Sequence, residues 1–246
     1  MDTKLGWFNT IEIADFNNDG SLDILAGNLG QNNFYQPSQE RPLTLLAKDF
    51  DANGSIDPIL FSYFKNKLGD YAHYPVAFWG DVNKQSPLFR GKFNYYAEYG
   101  MTSSETLFTP EEREGALNFE MNYDRSVLFL NTGILDFKAI ELPTVAQYAP
   151  INDFIVEDLD VDGHLDVMLV GNNYGNEVFI GHLDALNGLV LKGDGSGRFN
   201  AVSTAESGFL VPYDAKHITT LKSATGATLY VASQNRERLR VFTKNK

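Results

Sequence analysis

The chain has 246 residues, of which 43% are hydrophobic and 21% charged, so it can bury a sizeable core and is not a disordered chain. Acidic residues outnumber basic ones by 32 to 20, which gives a formal net charge of −12 and argues against binding to nucleic acid or anionic membranes. Cys is absent, which excludes disulfides, thiolate metal sites and cysteine nucleophiles.

The sequence shows no membrane-spanning segment and no leader. No apolar run approaches the roughly 20 residues that a membrane-spanning helix requires, so we expect no membrane insertion. The segment from Met1 to Asn9 has neither the basic region nor the apolar core of a secretory leader. Either the protein stays inside the cell, or its leader lies outside this sequence.

A nine-residue acidic pattern occurs three times along the chain. It reads Asp, apolar, Asp or Asn, any residue, Asp or Asn, Gly, any residue, apolar, Asp. The copies cover residues 15–23, 49–57 and 158–166, which we call loops 1, 2 and 3. Each copy leads into an apolar run of β type, so the pattern predicts loops that enter strands.

The oxygen-bearing residues of these loops have a spacing that suits a hard cation. Side chains at positions 1, 3 and 5, the backbone carbonyl at position 7 and the carboxylate at position 9 can surround one ion, while Gly at position 6 permits a sharp turn. Ca²⁺ fits better than Mg²⁺, which demands a smaller and more regular octahedron. We predict about three Ca²⁺ sites with these candidate ligands: Asp15, Asn17, Asp19, Ser21 and Asp23; Asp49, Asp51, Asn53, Ser55 and Asp57; Asp158, Asp160, Asp162, His164 and Asp166.

Two other interpretations of the loops are weaker. An EF-hand requires a bidentate Glu at position 12, where this chain has Ala26, Leu60 and Leu169. An ordinary turn, in which Asp and Asn side chains cap their own backbone, needs no metal. Three copies in the same phase, each before a strand, favour Ca²⁺ over the ordinary turn. The ring of His164 is expected to face solvent, because position 7 supplies only its carbonyl.

An aromatic and partly helical region separates loop 2 from loop 3. Residues 61–99 are dense in aromatics, among which Tyr71, Tyr74 and Trp79 are candidate ligand-binding residues, although such rings more often pack in a core. The segment Thr109-Pro110-Glu111-Glu112 combines an N-cap, a Pro at the first helical position and a capping-box Glu. We therefore predict a helical insertion at residues 87–117.

The rest of the chain reads as short strands joined by tight turns. The phrases Leu130-Asn131-Thr132-Gly133 and Leu191-Lys192-Gly193-Asp194-Gly195 each predict a strand that ends in a turn before another strand. Residues 228–235 and 239–242 predict a last hairpin without an acidic loop. The predicted fold class is therefore all-β.

The loops and the turn phrases resemble FG-GAP/VCBS repeats, the calcium-loop blades of β-propellers in integrin α-subunits and many secreted bacterial proteins. The sequence of residues 47–58 is similar to that of the cartilage-acidic-protein-like repeat proteins of Bacteroidetes. The resemblance implies one β-propeller domain or propeller segment over residues 1–246, with about four or five blades. The loop spacing departs from an even repeat, with 34 residues from Asp15 to Asp49 and 109 from Asp49 to Asp158. This spacing suggests an intervening blade that has lost its acidic loop and carries the helical insertion.

The resemblance also implies a function: an extracellular or cell-envelope, noncatalytic calcium-binding module that mediates adhesion to a protein or glycan ligand. Extracellular calcium is abundant enough to fill sites of modest affinity, whereas resting cytosol leaves them largely empty. Two alternatives stay open, namely a carbohydrate-active lyase or hydrolase on a propeller scaffold and a purely structural module of a larger envelope protein. No G-x-S-x-G nucleophile elbow occurs, and the four histidines lack metal-type spacing.

Overall fold

The computed structural model describes residues 3–134 and 136–244 and is built mainly of antiparallel β-sheet. Within these residues, 15 strands form four sheets and five short α-helices are present, so the all-β prediction is confirmed. The strands are β1 (Thr10–Ala14), β2 (Asp23–Gly27), β3 (Leu43–Lys48), β4 (Asp57–Lys65), β5 (Tyr71–Pro75), β6 (Leu117–Met121), β7 (Val127–Gly133), β8 (Asp136–Glu141), β9 (Ile151–Glu157), β10 (Asp166–Gly171), β11 (Leu189–Gly193), β12 (Phe199–Val202), β13 (Ala215–Lys222), β14 (Thr228–Gln234) and β15 (Arg240–Thr243). The helices are α1 (Trp79–Gln85), α2 (Tyr96–Tyr99), α3 (Ser104–Leu107), α4 (Pro110–Arg113) and α5 (Thr204–Ser207).

The chain folds into two compact units. Unit 1 is formed by the described residues up to Gln36 and from Asp124 onward, and unit 2 by residues 37–123. Unit 2 therefore enters the chain between β2 and β7, which pair directly with each other in unit 1. Because loop 2 belongs to this inserted unit, the uneven loop spacing reflects the insertion of a whole unit with its own sheet.

Unit 1 contains three sheets in series, with strand orders β1-β2-β7-β8, β12-β11-β10-β9 and β13-β14-β15. The middle sheet packs on both of its neighbours through β10, whose residues are all buried. Val167 and Leu169 face the core shared with the first sheet, whereas Met168 and Val170 face the core shared with the third. Because successive strand residues point to opposite faces, a continuous apolar run is what such a two-sided strand requires.

The first strands of these three sheets lie next to one another, with β9 beside both β1 and β13. In each sheet the chain then runs outward strand by strand, interrupted only where unit 2 enters the first sheet. No closed propeller is detected among the described residues.

Unit 2 is a four-stranded sheet of order β5-β4-β3-β6 with helices α1 to α4 between β5 and β6. Its core joins Ile59 and Phe61 of β4 to residues of the helical segment such as Val82, Phe89 and Leu107. The range 87–117 contains α2, α3, α4, a 3₁₀ turn at Pro87–Arg90 and the first residue of β6, while α1 precedes it. The capping box at Thr109 opens α4, where the Thr109 hydroxyl accepts the amide of Glu112 and the Glu112 carboxylate accepts that of Thr109.

The chain leaves unit 1 after Gln36 and returns to it at Asp124, and hydrogen bonds within unit 1 join the segments next to these two points. Gly30 donates its amide to the carbonyl of Asp124 over 2.7 Å. The buried Asn33 side chain donates to the carboxylate of Asp124 over 2.9 Å and to the carbonyl of Gly30 over 2.7 Å. Burial raises the pKa of Asp124, and the bond from Asn33 opposes that rise.

Gly171 ends β10 at a point where no side chain fits. A Cβ atom there would lie 1.9 Å from the carbonyl oxygen of Pro150, whose carbonyl already accepts the amide of Asn172. We expect Gly171→Ala to lower the free energy of unfolding by about 1–3 kcal/mol, because backbone rather than a flexible side chain must move. Gly91→Ala is the matched control, since a Cβ there meets nothing within 4 Å. Equal denaturation midpoints for the two variants would contradict this packing.

Candidate metal centre

The three acidic loops join adjacent antiparallel strands: loop 1 connects β1 to β2, loop 2 connects β3 to β4, and loop 3 connects β9 to β10. All three have the same backbone φ at two positions. The residue at position 4 has a positive φ of 58° at Asn18, 57° at Ala52 and 65° at Val161. The Gly at position 6 follows with φ of 86°, 88° and 89°. A β-branched Val at positive φ is strained, so the loop geometry, not local preference, sets this conformation.

The carboxylate at position 1 organises each loop from within. In loop 1, Asp15 accepts the amides of Asp19 and Gly20 over 3.1 and 2.9 Å. Asp49 and Asp158 accept the corresponding amides of loops 2 and 3 over 2.8–3.1 Å. The side chain at position 5 accepts the amide of position 7 in every loop, from Ser21, Ser55 and His164. These bonds hold position 1 facing the loop interior.

The aspartate at position 9 is buried in every loop, with exposed fractions of 0% for Asp23, 1% for Asp57 and 2% for Asp166. One oxygen of each accepts the amide of position 2 over 2.9–3.1 Å. The other oxygen of Asp23 accepts the amide of Asn131 in β7, and that of Asp166 accepts the amide of Gly193 in β11, each over 2.9 Å. Position 9 therefore ties the loop to the third strand of its sheet in unit 1.

Asp57 in unit 2 lacks such a third-strand donor within the described part of the chain. Burial raises the pKa of Asp57, the Phe50 amide opposes this, and the charges of Asp51 and Asp49 raise it further. Loop 2 thus holds a poorly compensated buried carboxylate next to two others. A bound cation would supply the missing positive charge.

Carboxylate oxygens converge in two of the loops. Oxygens of Asp49, Asp51 and Asp57 lie within 4.8 Å of one another, and so do oxygens of Asp158, Asp160 and Asp166. Positions 1, 3 and 9 therefore form the common donor set, and in loop 1 position 3 is the amide Asn17. An all-oxygen donor set on a rigid turn fits a hard cation, so both triads could hold a metal ion. Of the other sequence-predicted ligands, the side chains of Asp19, Asn53 and Asp162 bind the amide at position 7.

The ring of His164 lies half-buried in unit 1 instead of facing solvent freely. Its Nδ1 lies 3.5 Å from the Asn18 side chain of loop 1, and a Cβ on Gly195 would stand 2.3 Å from the same atom. The ring therefore packs on the glycine turn after β11. The sequence predicted that turn but not its contact with loop 3.

Lys192 is a site residue that sequence reasoning missed. From β11 it donates to the carboxylate of Asp160 and, over 3.1 Å, forms an ion pair with Asp162. These bonds raise the pKa of Lys192, and the His164 amide together with Lys192 lowers the pKa of Asp162. The available signal was its place beside Gly193, whose amide binds the buried Asp166.

The predicted ligand-binding aromatics occupy three different settings in unit 2. Tyr71 is 50% exposed, with the Arg41 guanidinium 4.0 Å from its ring centre. Tyr74 lines a cleft of about 510 Å³ together with Phe64 and Met101. Trp79 donates its indole N–H to the carbonyl of Phe89 over 3.2 Å and packs edge-on against Phe93 and Tyr96, so this ring is largely committed to the fold.

A serine–histidine pair bears on the enzyme alternative. In unit 2, Nδ1 of His73 lies 2.8 Å from the hydroxyl of Ser104, and its Nε2 lies 3.1 Å from the hydroxyl of Thr44. A hydrolytic triad would place a carboxylate where Thr44 stands. Burial lowers the pKa of His73, and Ser104 is only 9% exposed. This geometry suits a packed polar cluster better than a nucleophile.

Comparison with family models gives no match, and comparison with the curated proteins gives none. In the described residues, no helix has the length and apolar character needed to cross a bilayer. The case for a function therefore rests on the loops themselves.

The poorly compensated carboxylate of Asp57 in loop 2 gives a testable difference in stability between metal-free and metal-loaded protein. The folded pKa of Asp57 is raised above its unfolded value, so the ionised side chain weakens the metal-free fold and this cost grows as pH rises through that pKa. We expect Asp57→Asn to be at least as stable as wild type in EDTA at neutral pH, yet to lose part of the stabilisation by metal. Thermal unfolding at pH 5 and 7.5, with and without Ca²⁺, measures both effects. A variant clearly less stable than wild type in EDTA at pH 7.5 would contradict the uncompensated charge.

Proposed function

We propose that this chain is a calcium-binding repeat module of the FG-GAP/VCBS β-propeller type, exported from the cytosol, which binds a protein or glycan partner without catalysis. The observation that carries the proposal is the repetition of one loop arrangement in three different sequences, with the same positive φ at positions 4 and 6 and the same amide bond from position 6 to the aspartate at position 1. In loop 2 the buried Asp57 accepts a single amide and stands next to two other carboxylates, and burying a carboxylate is costly unless it is paired or coordinates a metal.

Ca²⁺ is the ion that this donor set favours. The donors are hard oxygens, the loops lie at the surface, and the carboxylates at positions 1 and 3 come from hairpin connections. Surface carboxylates of this number give sites of modest affinity, which are filled where calcium is at millimolar concentration. An exported protein meets that condition, and the cytosol does not.

The propeller assignment is supported by the chain path in unit 1. Blades of a propeller run outward from an innermost strand, and the innermost strands stand side by side around an axis. The neighbouring strands β1, β9 and β13 have this relation, and each acidic loop of unit 1 joins the first strand of its sheet to the second. The sheets of unit 1 would then be consecutive blades.

Calcium should stabilise the fold, because a folded loop binds the ion with converged carboxylates that the unfolded chain does not hold together. We expect the unfolding midpoint in 2 mM Ca²⁺ to exceed that in EDTA by several degrees, and equimolar Mg²⁺ to give a smaller increase. Calorimetric titration should show two or three sites, with one fewer after Asp166→Asn. Equal midpoints in Ca²⁺ and EDTA, with no heat of binding, would end the calcium proposal.

Partner contacts in unit 1 are expected at the sheet ends opposite the acidic loops. Trp7, Phe34 and Phe179 lie on connections at that end, are 36–47% exposed, and form a chain of edge-to-face contacts through Tyr35. Exposed aromatic rings offer large contact area at low rotamer entropy and stack well on sugar rings or peptide side chains.

A binding screen can compare this aromatic cluster of unit 1 with the aromatic candidates of unit 2, namely Tyr71, Tyr74 and Trp79. We expect Trp7→Ala and Phe179→Ala to weaken binding on a glycan array or in a pull-down from envelope extract, and Trp79→Ala to act mainly by destabilising unit 2. Circular dichroism establishes that each variant is folded. Folded Trp7 and Phe179 variants with unchanged binding would move the partner surface elsewhere.

A further inference from the structure

A cleft of about 590 Å³ opens in unit 1 beside loop 3. Its walls come from the second and third sheets and are mainly apolar, with Met168, Val190, Tyr230 and Phe242 among them. This size lies within the roughly 300–1,000 Å³ typical of small-molecule sites. Asp160 and Lys192 also line the cleft, so one wall of the cleft is shared with the metal loop.

Lys192 in the second sheet occupies a position at which the first sheet has an uncharged residue, Leu130. Register pairs Val167 with Leu191 in the second sheet and Ile24 with Phe129 in the first, so Lys192 and Leu130 occupy equivalent places opposite the buried aspartates. Leu130 is 8% exposed and packs in the core, whereas the Lys192 side chain is 45% exposed and reaches back to loop 3.

The charges of the three loops show what Lys192 does there. Loops 1 and 2 each carry three carboxylates, and loop 3 carries four. With the Lys192 ammonium on Asp160 and Asp162, loop 3 has the same net charge of −3 as the other two. A divalent ion bound by Asp158, Asp160 and Asp166 would share the Asp160 carboxylate with the ammonium group and repel it at short range.

We propose that Lys192 competes with the metal ion for Asp160, and that metal binding loosens its ammonium group from loop 3, with Asp162 as its remaining partner, so that it can hold an anionic ligand in the adjoining cleft. This inference rests on the proposed metal function of loop 3. The ligand class follows from the lining: one negatively charged group for Lys192 and an apolar body for the walls. Glu206 of α5 also lines the cleft and repels further negative charge, so the ligand carries a single anionic group. Lys244, the other lysine of the cleft, stays held by Glu157 over 2.9 Å and by the carbonyl of Asp158, so Lys192 is the group that changes.

The first test measures competition. Lys192→Met keeps the apolar stem and removes the ammonium group, so the Ca²⁺ affinity of one site should rise roughly 1.5- to fivefold, the range that an exposed ion pair spans. Lys222→Met is the control, because it makes the same change in net charge at a lysine bonded to Thr228 in the third sheet. Unchanged affinity in the Lys192 variant would overturn the proposal, as would an equal rise in the control.

The second test measures release into the cleft, with the aryl sulfonate 8-anilino-1-naphthalenesulfonate as the probe. Wild type should bind the probe several-fold more tightly in Ca²⁺ than in EDTA, and by linkage the probe should raise Ca²⁺ affinity by the same factor. In Lys192→Met, probe binding should be weak and independent of Ca²⁺. Equal probe affinity of wild type in Ca²⁺ and EDTA would overturn the proposal.

These results separate the inference from the function on which it rests. If no loop of wild type or of Lys192→Met binds Ca²⁺, the proposed function fails and the inference fails with it. If Ca²⁺ binds with the expected stoichiometry while the Lys192 variant behaves as wild type, only the inference fails.

Discussion

The buried aspartate at the end of each acidic loop is the group on which the local structure depends. Asp23, Asp57 and Asp166 stand at the first residue of a strand, out of contact with water, and each accepts the amide of position 2 across its own loop. A hydrogen bond to a charged group contributes about 1.5–3 kcal/mol, so these bonds fix both the loop and the start of the strand. The cost of burying the charge would make a cation favourable at the proposed metal sites.

The same aspartates distinguish the two units. In unit 1 the third strand of the sheet donates a further amide, from Asn131 or Gly193, and the buried charge is better compensated. In unit 2 the third strand, β5, ends at Pro75 opposite Phe61, so it does not reach Asp57, which carries the raised pKa. One loop sequence thus gives sites with different electrostatic surroundings. The proposed ion affinities of the loops would then differ with the neighbouring strand as much as with the ligands.

The sequence predicted what is encoded locally. Ligand spacing, the glycine at position 6 and the Thr109 capping box all lie within a few residues, so the loops and α4 could be located directly. The insertion boundary could not, because it depends on β2 pairing with β7 across unit 2. For the same reason Lys192 escaped notice, since its bonds to Asp160 and Asp162 link residues about thirty positions apart. Trp79 is the opposite case: the aromatic composition of its segment suggested a ligand-binding site, but its ring packs against Phe93 and Tyr96.

The insertion of unit 2 between β2 and β7 of the first sheet has a consequence for how the chain folds during synthesis. β2 leaves the ribosome long before β7, so its outer edge, with the buried residues Leu25 and Ala26, waits unpaired while residues 37–123 are made. An unpaired apolar strand edge is a template for aggregation. Folding of the compact unit 2 in the meantime would shorten the effective loop between β2 and β7 and lower the entropic cost of closing the sheet. The bonds from Gly30 and Asn33 to Asp124 join the chain on the two sides of unit 2, and the first sheet can be completed only after the inserted unit has been made.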